Sequence, residues 1–262
     1  MLGIAIHGDW ESQMKKIGIL GGLAWPATIE YYKAICQLSQ NHHARLNCPG
    51  PSPMPEMCIE SVNINYSYNH RGRYGDEASW CAYDAYFRDA LQRLEDNGVD
   101  FAIIASNTPH IRYDAITDGL KIPVISIFEA VADICHIRGI DEFLLLGTEP
   151  TMNSGKFSDH LKRRGIRAFA PPHDRLKSEV ADLISELFTG KSENGRARIH
   201  AIVGSSFEQA GIGKKVVCLA CTELPLAFEG REQLETFEED GIFYLNTTII
   251  HAKAAFKYAV SG

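Results

Sequence analysis

Two short stretches of the sequence decide the fold class, DFAIIASNTPH (residues 100–110) and KVVCLACTELP (residues 215–225). Each is an apolar run of strand length that stops at a small polar residue and continues into a threonine. The polar residue is Ser106 in the first stretch and Cys221 in the second. Apolar runs without polar alternation are typical of parallel strands that are buried on both faces. The sequence thus predicts the same strand end built twice, once with a hydroxyl and once with a thiol.

Two further stretches repeat a strand, a glycine turn, and then a proline and a threonine. They are IGILGGLAWPAT (residues 17–28) and FLLLGTEPT (residues 143–151). Each half of the chain therefore offers two strand ends, which predicts a weak internal duplication into two similar α/β domains. Ligands of open α/β sheets bind outside the carboxyl ends of the strands. If the two domains face each other, Ser106 and Cys221 approach one ligand from opposite sides of a cleft.

The rest of the pattern agrees with an α/β protein whose parallel sheets are flanked by helices. Predicted strands occupy residues 16–20, 58–64, 101–105, 123–127, 143–146, 216–220 and 242–245. Apolar residues at helical spacing predict helices over 176–187 and 199–207, and glycines 98, 139, 165 and 211 stand where helices end. Stretches 47–57 and 63–76 are predicted loops. We expect a first domain over 1–120, with 1–13 outside the fold, completed by 242–262, and a second domain over 121–241.

Composition restricts the function classes. The net charge of −7 over 262 residues argues against nucleic acid or an anionic membrane as a partner. No apolar run approaches the roughly 20 residues of a membrane helix, and the N-terminus lacks the order of a signal peptide. The seven cysteines are irregularly spaced, which favours free thiols. We therefore expect a cytoplasmic protein.

Cys221 is the strongest candidate for chemistry. It ends a buried strand where a helix could begin at Thr222 and Glu223, and a helix N-terminus would lower the pKa of its thiol. A thiolate can act as a base near neutral pH. Cys218 completes a C-x-x-C motif, but it lies inside the strand and no further zinc ligands follow at suitable spacing. No metal site is predicted.

The residues after the other strand end allow two interpretations. Ser106 is either a helix N-cap or a proton donor to a ligand. His110, four residues on, could assist its hydroxyl. Asn107 and Thr108 either form the turn or direct donors toward a carboxylate.

Other candidates are cationic side chains and a glycine turn. Gly22 follows the first strand, but the turn is not a dinucleotide fingerprint, and we interpret it as a carboxylate-binding turn. Arg71 and Arg73 lie in the predicted loop and are natural carboxylate clamps, although both could be solvated. Lys191 is a weaker candidate of the same kind.

These four strand ends, in this order, resemble the signature turns of the aspartate/glutamate racemase family over residues 15–258. The resemblance implies two pseudo-symmetric α/β domains, a cofactor-independent site in the cleft between them, and a homodimer. In the family, two cysteines flank the Cα atom of an acidic amino acid; one removes the Cα proton and the other reprotonates the opposite face. Cys221 matches the second cysteine, whereas Ser106 replaces the first.

Matched positions imply the substrate-binding residues. Asn107, Thr108, Thr148, Thr151 and Thr222 would hold the carboxylates and amine, and Arg71 matches the family's loop arginine. Gly22, Thr28 and Glu223 in the matched turns, and Lys191, complete the expected set, with His110 behind it. The family's late lysine has no clear counterpart, and Phe188 falls near its position.

Three functions remain open. The first is an asymmetric or slow racemase of aspartate-like or glutamate-like amino acids, with Cys221 as the main acid and base. The second is a single-cysteine decarboxylase or isomerase of a related dicarboxylate. The third is a relative that binds an acidic ligand without turnover. A small-molecule substrate is expected in each case.

Overall fold

The computed structural model describes residues 14–46, 51–190, 192–210 and 215–261. Its strands form two sheets, with order β2-β1-β3-β4 in the first lobe and β6-β5-β7-β9-β8 in the second. The strands are β1 Ile17–Gly21, β2 Met57–Ser61, β3 Phe101–Ile104, β4 Val124–Ile125, β5 Glu142–Gly147, β6 Arg167–Phe169, β7 Val216–Ala220, β8 Thr236–Glu239 and β9 Ile242–Asn246. All pairs are parallel except β8 with β9. The predicted fold class, with two parallel-sheet lobes, is confirmed.

Helices cover both sheets. They are α1 Trp25–Leu46, α2 Ile64–Asn69, α3 Cys81–Asp96, α4 Tyr113–Thr117, α5 Ile127–Arg138, α6 Glu149–Asn153, α7 Lys156–Arg163, α8 Asp174–Phe188, α9 Gly195–Ala210 and α10 Thr247–Val260. The helix predicted over 176–187 is α8, and the one over 199–207 lies within α9. α5 ends at Gly139, whose φ of 61° is the left-handed conformation that favours glycine. Among the described helices, none has the length and hydropathy of a membrane span.

The two lobes repeat one arrangement of strands. In the first, β1 lies between β2 and β3, and in the second, β5 lies between β6 and β7. The strands that end at the glycine turns are thus direct neighbours of the strands that precede Ser106 and Cys221. This placement confirms the internal duplication that the four strand ends predict.

Sheet membership differs from the predicted domain boundaries. β4 pairs with β3 in the first sheet, although a boundary at 121 gave it to the second domain. β9 pairs with β7 in the second sheet, although residues from 242 onward were assigned to the first. Only α10 returns, packing against α1 and α5 between the lobes. An apolar run predicts a buried strand, but it does not indicate which sheet the strand joins.

The pattern of apolar residues does not predict the short or polar elements. β6 has three residues, and β8 has the sequence TFEE with only Phe237 buried. The predicted loop over 63–76 contains α2, where the Asn63 side chain accepts a hydrogen bond from the Asn65 N–H as an N-cap. α2 buries only Ser67, so it carries no apolar periodicity. Residues 1–13, 47–50 and Gly211 lie outside the described residues.

Candidate active site

One cavity of about 270 Å³ lies between the two lobes, and both Ser106 and Cys221 line it. The parallel register of β1 with β3 and of β5 with β7 places all four carboxyl ends at this cavity. Eight residues singled out from the sequence line it: Arg71, Ser106, Asn107, Thr108, Thr148, Cys221, Thr222 and Glu223. The duplicated strand ends therefore meet at one site.

Cys221 is paired with a carboxylate. It is buried, with 7% exposure, and its Sγ donates a hydrogen bond to Glu223 Oε2 over 2.8 Å. The same oxygen accepts a hydrogen bond from the Thr222 hydroxyl at 2.9 Å. Burial first, and then the charge and hydrogen bond of Glu223, raise the pKa of the Cys221 thiol well above its ordinary value. The resting side chain is therefore a neutral thiol whose proton already lies against a carboxylate oxygen.

The predicted lowering of the Cys221 pKa is thus wrong. The expected α-helix does not follow the strand; residues Leu224–Ala227 form a short 3₁₀ helix instead. A single short turn has little macrodipole to stabilise a thiolate, and Glu223 contributes the opposite charge effect. Glu223 was predicted to bind substrate, and the structure places its carboxylate on the thiol.

The two cysteines of the C-x-x-C motif face different surroundings. Cys218 is fully buried with the cluster around Phe143 and Leu145, whereas Cys221 packs with the cluster around Leu144 and Leu146. Burial raises the pKa of Cys218 well above its ordinary value. Only Cys221 of this pair lines the cavity.

Ser106 is half-buried, and its hydroxyl makes no hydrogen bond within the described part of the chain. His110 makes no hydrogen bond to this hydroxyl. Its Nδ1–H donates to the Ser106 carbonyl oxygen at 2.9 Å, which makes Nδ1 the protonated nitrogen because a carbonyl only accepts. Burial, and then His251, lower the pKa of His110 to about 3. His110 therefore stays neutral and holds the Ser106 backbone, and it is not a proton relay for the hydroxyl.

Asn107 joins the lobes through a threonine of α10. Its Nδ2 donates to Thr247 Oγ1 at 3.0 Å, and that hydroxyl donates to the Leu219 carbonyl of β7 at 3.0 Å. Asn107 Oδ1 is buried and has no hydrogen-bond partner among the described residues. Asn107 lines the cavity, and a small shift of its side chain would offer this unpaired acceptor to an ammonium group.

Three threonines form a second link between the lobes. Thr108 Oγ1 lies 2.9 Å from Thr148 Oγ1, which lies 2.9 Å from Thr151 Oγ1. Thr151 is buried and does not line the cavity, so it contacts Thr148 rather than a ligand.

The glycine turn reaches the cavity through Leu23 and Ala24, but not through the two residues predicted from it. The Gly22 N–H donates to Thr28 Oγ1 at 2.9 Å, and neither residue lines the cavity. Gly22 has φ of 84°, and a Cβ there would lie 2.3 Å from the Val62 carbonyl oxygen. Gly22 and Thr28, predicted to bind substrate, shape the turn instead.

Among the cationic candidates, Arg71 reaches the cavity. Its Nε is buried without a hydrogen-bond partner among the described residues, and its guanidinium lies 5.0 Å from the Tyr68 ring centre. Arg73 is exposed and pairs with Asp76 at 3.5 Å. Lys191 lies outside the described residues.

The sequence pattern did not assign most of the remaining, largely apolar walls of the cavity to the site. They comprise Leu23, Ala24, Ile64, Tyr68, Ala181, Ile184 and Ser185, with Ala220 at a strand end, and Phe188, which the resemblance places near the family's late lysine. The sequence places Ile184 on the apolar face of a predicted helix. A helix that packs on a core and a helix that lines a cavity show the same spacing of apolar residues.

These observations define a two-lobed α/β protein with a site in the cleft at four facing strand ends, where polar side chains lie between apolar walls. Comparison with known proteins gives the same class. Residues 20–255 match the family model described as Asp/Glu/Hydantoin racemase. The broad specificity amino-acid racemase RacX of Bacillus subtilis (strain 168) is 27% identical over 209 residues, which are 79% of this chain and 85% of that protein.

Solved structures are similar over nearly the whole chain. An aspartate racemase homologue from Pyrococcus horikoshii OT3 has a TM-score of 0.73 and 29% identity, covering 94% of this chain and 99% of that one. The aspartate racemase of Picrophilus torridus, at 19% identity, shares the fold with a TM-score of 0.68, covering 94% of each chain. The chain therefore belongs to the Asp/Glu/hydantoin racemase family. It is an amino-acid racemase, an isomerase that acts on a small molecule.

Proposed function

We propose that this racemase moves the Cα proton of an amino acid between Cys221 and Ser106, with Cys221 as the main acid and base. The observation that carries the proposal is that both side chains line one 270 Å³ cavity from opposite lobes. Inversion by a two-base mechanism requires one such group on each face of Cα.

The Cys221 side can both take and give a proton. The thiol passes its proton to Glu223, 2.8 Å away, and the thiolate then removes the Cα proton of the enantiomer whose hydrogen faces it. Glu223 releases its proton to solvent before the next turnover. The electron pair of the broken C–H bond stays on the substrate as a carbanion, delocalised into the α-carboxylate. Thr222 stabilises the Glu223 carboxylate through its hydrogen bond.

The Ser106 side donates more readily than it accepts. Its hydroxyl, or a water beside it, gives a proton to the opposite face of the carbanion and is reprotonated from solvent. In the reverse direction an alcohol must remove the Cα proton without a basic partner, because His110 contacts only the Ser106 carbonyl. Enantiomers have equal free energy, so the two kcat/KM values stay equal. The asymmetry is expected in kcat and KM separately.

Several residues are suited to hold the substrate. Arg71 offers a guanidinium to the carboxylate, and Thr108 and Thr148 also line the cavity. Asn107 Oδ1 is buried and unpaired, and a small shift of the side chain would offer it to the ammonium group. Aspartate and glutamate are the substrates that the resemblance implies. Because RacX is described as a broad specificity amino-acid racemase, neutral amino acids belong in the same test. The proposal includes a cofactor-independent homodimer in the cytoplasm.

Incubation with single enantiomers in deuterated water tests the reaction. Mass spectrometry after chiral chromatography should find deuterium at Cα in the starting enantiomer and in its mirror image. Deuterium in the starting enantiomer alone would mean that only the Cys221 half-reaction proceeds. Release of carbon dioxide from a malonate-type acid would instead support a decarboxylase. Absence of Cα exchange in every amino acid tried would refute the proposal.

A further inference from the structure

A second cavity of about 590 Å³ adjoins the one that contains Ser106 and Cys221. We call it the outer cavity. The two cavities share six wall residues, Tyr68, Arg71, Thr148, Ala181, Ile184 and Ser185. They are therefore parts of one continuous cleft. Proton transfer at Cα needs only the inner part.

The outer cavity is walled by aromatic and aliphatic side chains. Beyond the shared residues it is lined by Gly72, Tyr74, Trp80, Glu149 and Pro150. Trp80 is buried, and Gly72 packs so closely on its ring that a Cβ at Gly72 would lie 2.5 Å from it. The Tyr74 hydroxyl donates to the Pro150 carbonyl oxygen at 3.1 Å, which ties the two lobes at this wall. Trp80 and Tyr74 thus each have a contact that positions them, although Tyr74 remains half-exposed at the mouth of the cleft.

The charges of the described walls disfavour a second carboxylate. Among the described residues that line the two cavities, Arg71 supplies the single cation, whereas Glu149 and Glu223 are both acidic. Once the α-carboxylate of the substrate is paired with Arg71, the described walls offer no second cation to an acidic side chain. Such a side chain would instead lie near the carboxylates of Glu149 and Glu223. An uncharged side chain meets no such repulsion and gains contact with the apolar walls.

We propose that the outer cavity is a substrate subsite for a long, uncharged side chain, aliphatic or thioether. It makes amino acids of this class better substrates than aspartate or glutamate. With Cα between Ser106 and Cys221, the side chain passes Ala181 and Ile184 and ends against Tyr74 and Trp80. This inference rests on the proposed function and specifies its substrate class.

A homologous series of side chains tests the subsite. We expect kcat/KM for Cα inversion to rise from L-alanine through L-2-aminobutyrate and L-norvaline to L-norleucine. Burial of each methylene group predicts a rise of about fourfold, or roughly 60-fold over the series. L-Aspartate and L-glutamate should fall below L-norleucine. Values that stay flat or fall with chain length would overturn the subsite.

Ala181→Leu adds bulk to the wall that the two cavities share. It should reduce the ratio of kcat/KM for norleucine to that for alanine from about 60 to below about 5. Asp182→Leu introduces the same side chain at the next, exposed position of α8, and it should keep the parent ratio. Equal ratios in the two variants would contradict the proposal.

Glu149→Lys supplies the missing cation to the outer cavity. It should raise kcat/KM for the long acidic substrate L-2-aminoadipate relative to norleucine by about tenfold, and Glu149→Gln by less. If neither variant shifts this ratio, the charge argument fails. If aspartate or glutamate is the best substrate, the subsite is refuted and the proposed function stands. If no amino acid exchanges its Cα proton, the proposed function itself falls.

Discussion

The strand end at Ser106 and the strand end at Cys221 occupy equivalent positions in the two lobes, yet their neighbours differ. Cys221 has a buried carboxylate 2.8 Å from its sulfur. Ser106 has a neutral histidine on its backbone carbonyl, and its hydroxyl faces the cavity without a hydrogen bond to the described residues. The duplicated fold thus repeats the position of the reacting groups but not their chemistry.

The ability of each reacting group to transfer a proton is therefore set by its neighbours. A thiol beside a carboxylate can lose and regain a proton, because the carboxylate accepts it at each turnover. A hydroxyl without a basic partner can only donate at a useful rate. We therefore expect the two strand ends to contribute unequally to every measurable step.

The largest effect should come from making the two ends alike. Cys221→Ser leaves a hydroxyl on both sides and removes the only thiol at the cavity among the described residues. Racemisation and deuterium exchange at Cα should both fall by about 10⁴-fold. Cys81→Ser, which changes an exposed cysteine that lines neither cavity, is the control and should retain activity. Activity of Cys221→Ser within tenfold of the parent would mean that Cys221 is not the main base.

Removing the carboxylate partner should have the next largest effect. Glu223→Gln keeps the size of the side chain but cannot take the thiol proton, so exchange at Cα should fall by about 10³-fold. Loss of the negative charge should also lower the pKa of Cys221, because that charge now raises it. Alkylation by iodoacetamide, followed against pH, should then begin at a lower pH than in the parent.

Glu229→Gln provides the matched control for this variant. It neutralises an exposed carboxylate in the same segment and should alter neither exchange nor alkylation. An unchanged alkylation profile in Glu223→Gln would show that its carboxylate does not govern the thiol.

Installing a thiol at the first strand end should remove the asymmetry. Ser106→Cys should raise kcat/KM for racemisation by about 10²-fold, equally in both directions, because the equal free energies of the enantiomers fix their ratio. Ser106→Ala should slow inversion, because only water then remains to donate on that face, while keeping deuterium exchange into the enantiomer that faces Cys221. If Ser106→Cys changes neither direction, the role assigned to Ser106 is wrong.

Low pH should reduce the free energy of unfolding through His110, the buried histidine that holds the Ser106 carbonyl. The pKa of His110 is lowered from 6.5 to about 3, so the unfolded chain binds the proton first as the pH falls. The free energy of unfolding that neutral His110 contributes is fully present above pH 6.5. It falls as the pH drops below 6.5, by about 2 kcal/mol at pH 5. Urea unfolding at pH 7.5 and 5 should show this loss, and His110→Asn should show about 2 kcal/mol less of it. Equal losses in both proteins would exclude His110 as the cause.

Much of this architecture could be predicted because strand ends have local signatures. The runs before Ser106 and Cys221 are long and apolar, so their burial and parallel pairing follow from composition alone. The small polar residues after them could then be placed at one edge of each sheet. Gly22 and Thr28 share the same signature, but they form the turn itself. A pattern of residue types does not separate a turn from a binding site.

The chemistry of the site could not be predicted, because it depends on contacts of a few ångströms. The residues after Cys221 are compatible with an α-helix, but they form a short 3₁₀ helix, with the Glu223 carboxylate against the thiol. The negative charge of Glu223 then raises the pKa of Cys221, whereas a helix N-terminus would have lowered it. The walls at Ala181 and Ile184 belong to a helix far along the chain from either strand end. Helical spacing marks their face as apolar but not as the side of a cavity.

The smallest effect tests how the two ends are held together. Thr247 accepts from Asn107, the residue after Ser106, and donates to the Leu219 carbonyl, two residues before Cys221. Thr247→Val removes this hydroxyl at constant size and leaves two buried polar groups unpaired, so the ends should lose their fixed separation. Misplacement of this kind should lower kcat by about tenfold with little change in KM, whereas Thr247→Ser should restore the hydrogen bonds and most of the rate.

Stability must be measured in the same variants, since loss of a buried hydrogen bond alone costs about 1–3 kcal/mol. If Thr247→Val is less stable yet has the parent kcat, Thr247 supports the fold without positioning the reacting groups. In that case the Thr108–Thr148 contact suffices to hold the two strand ends in register.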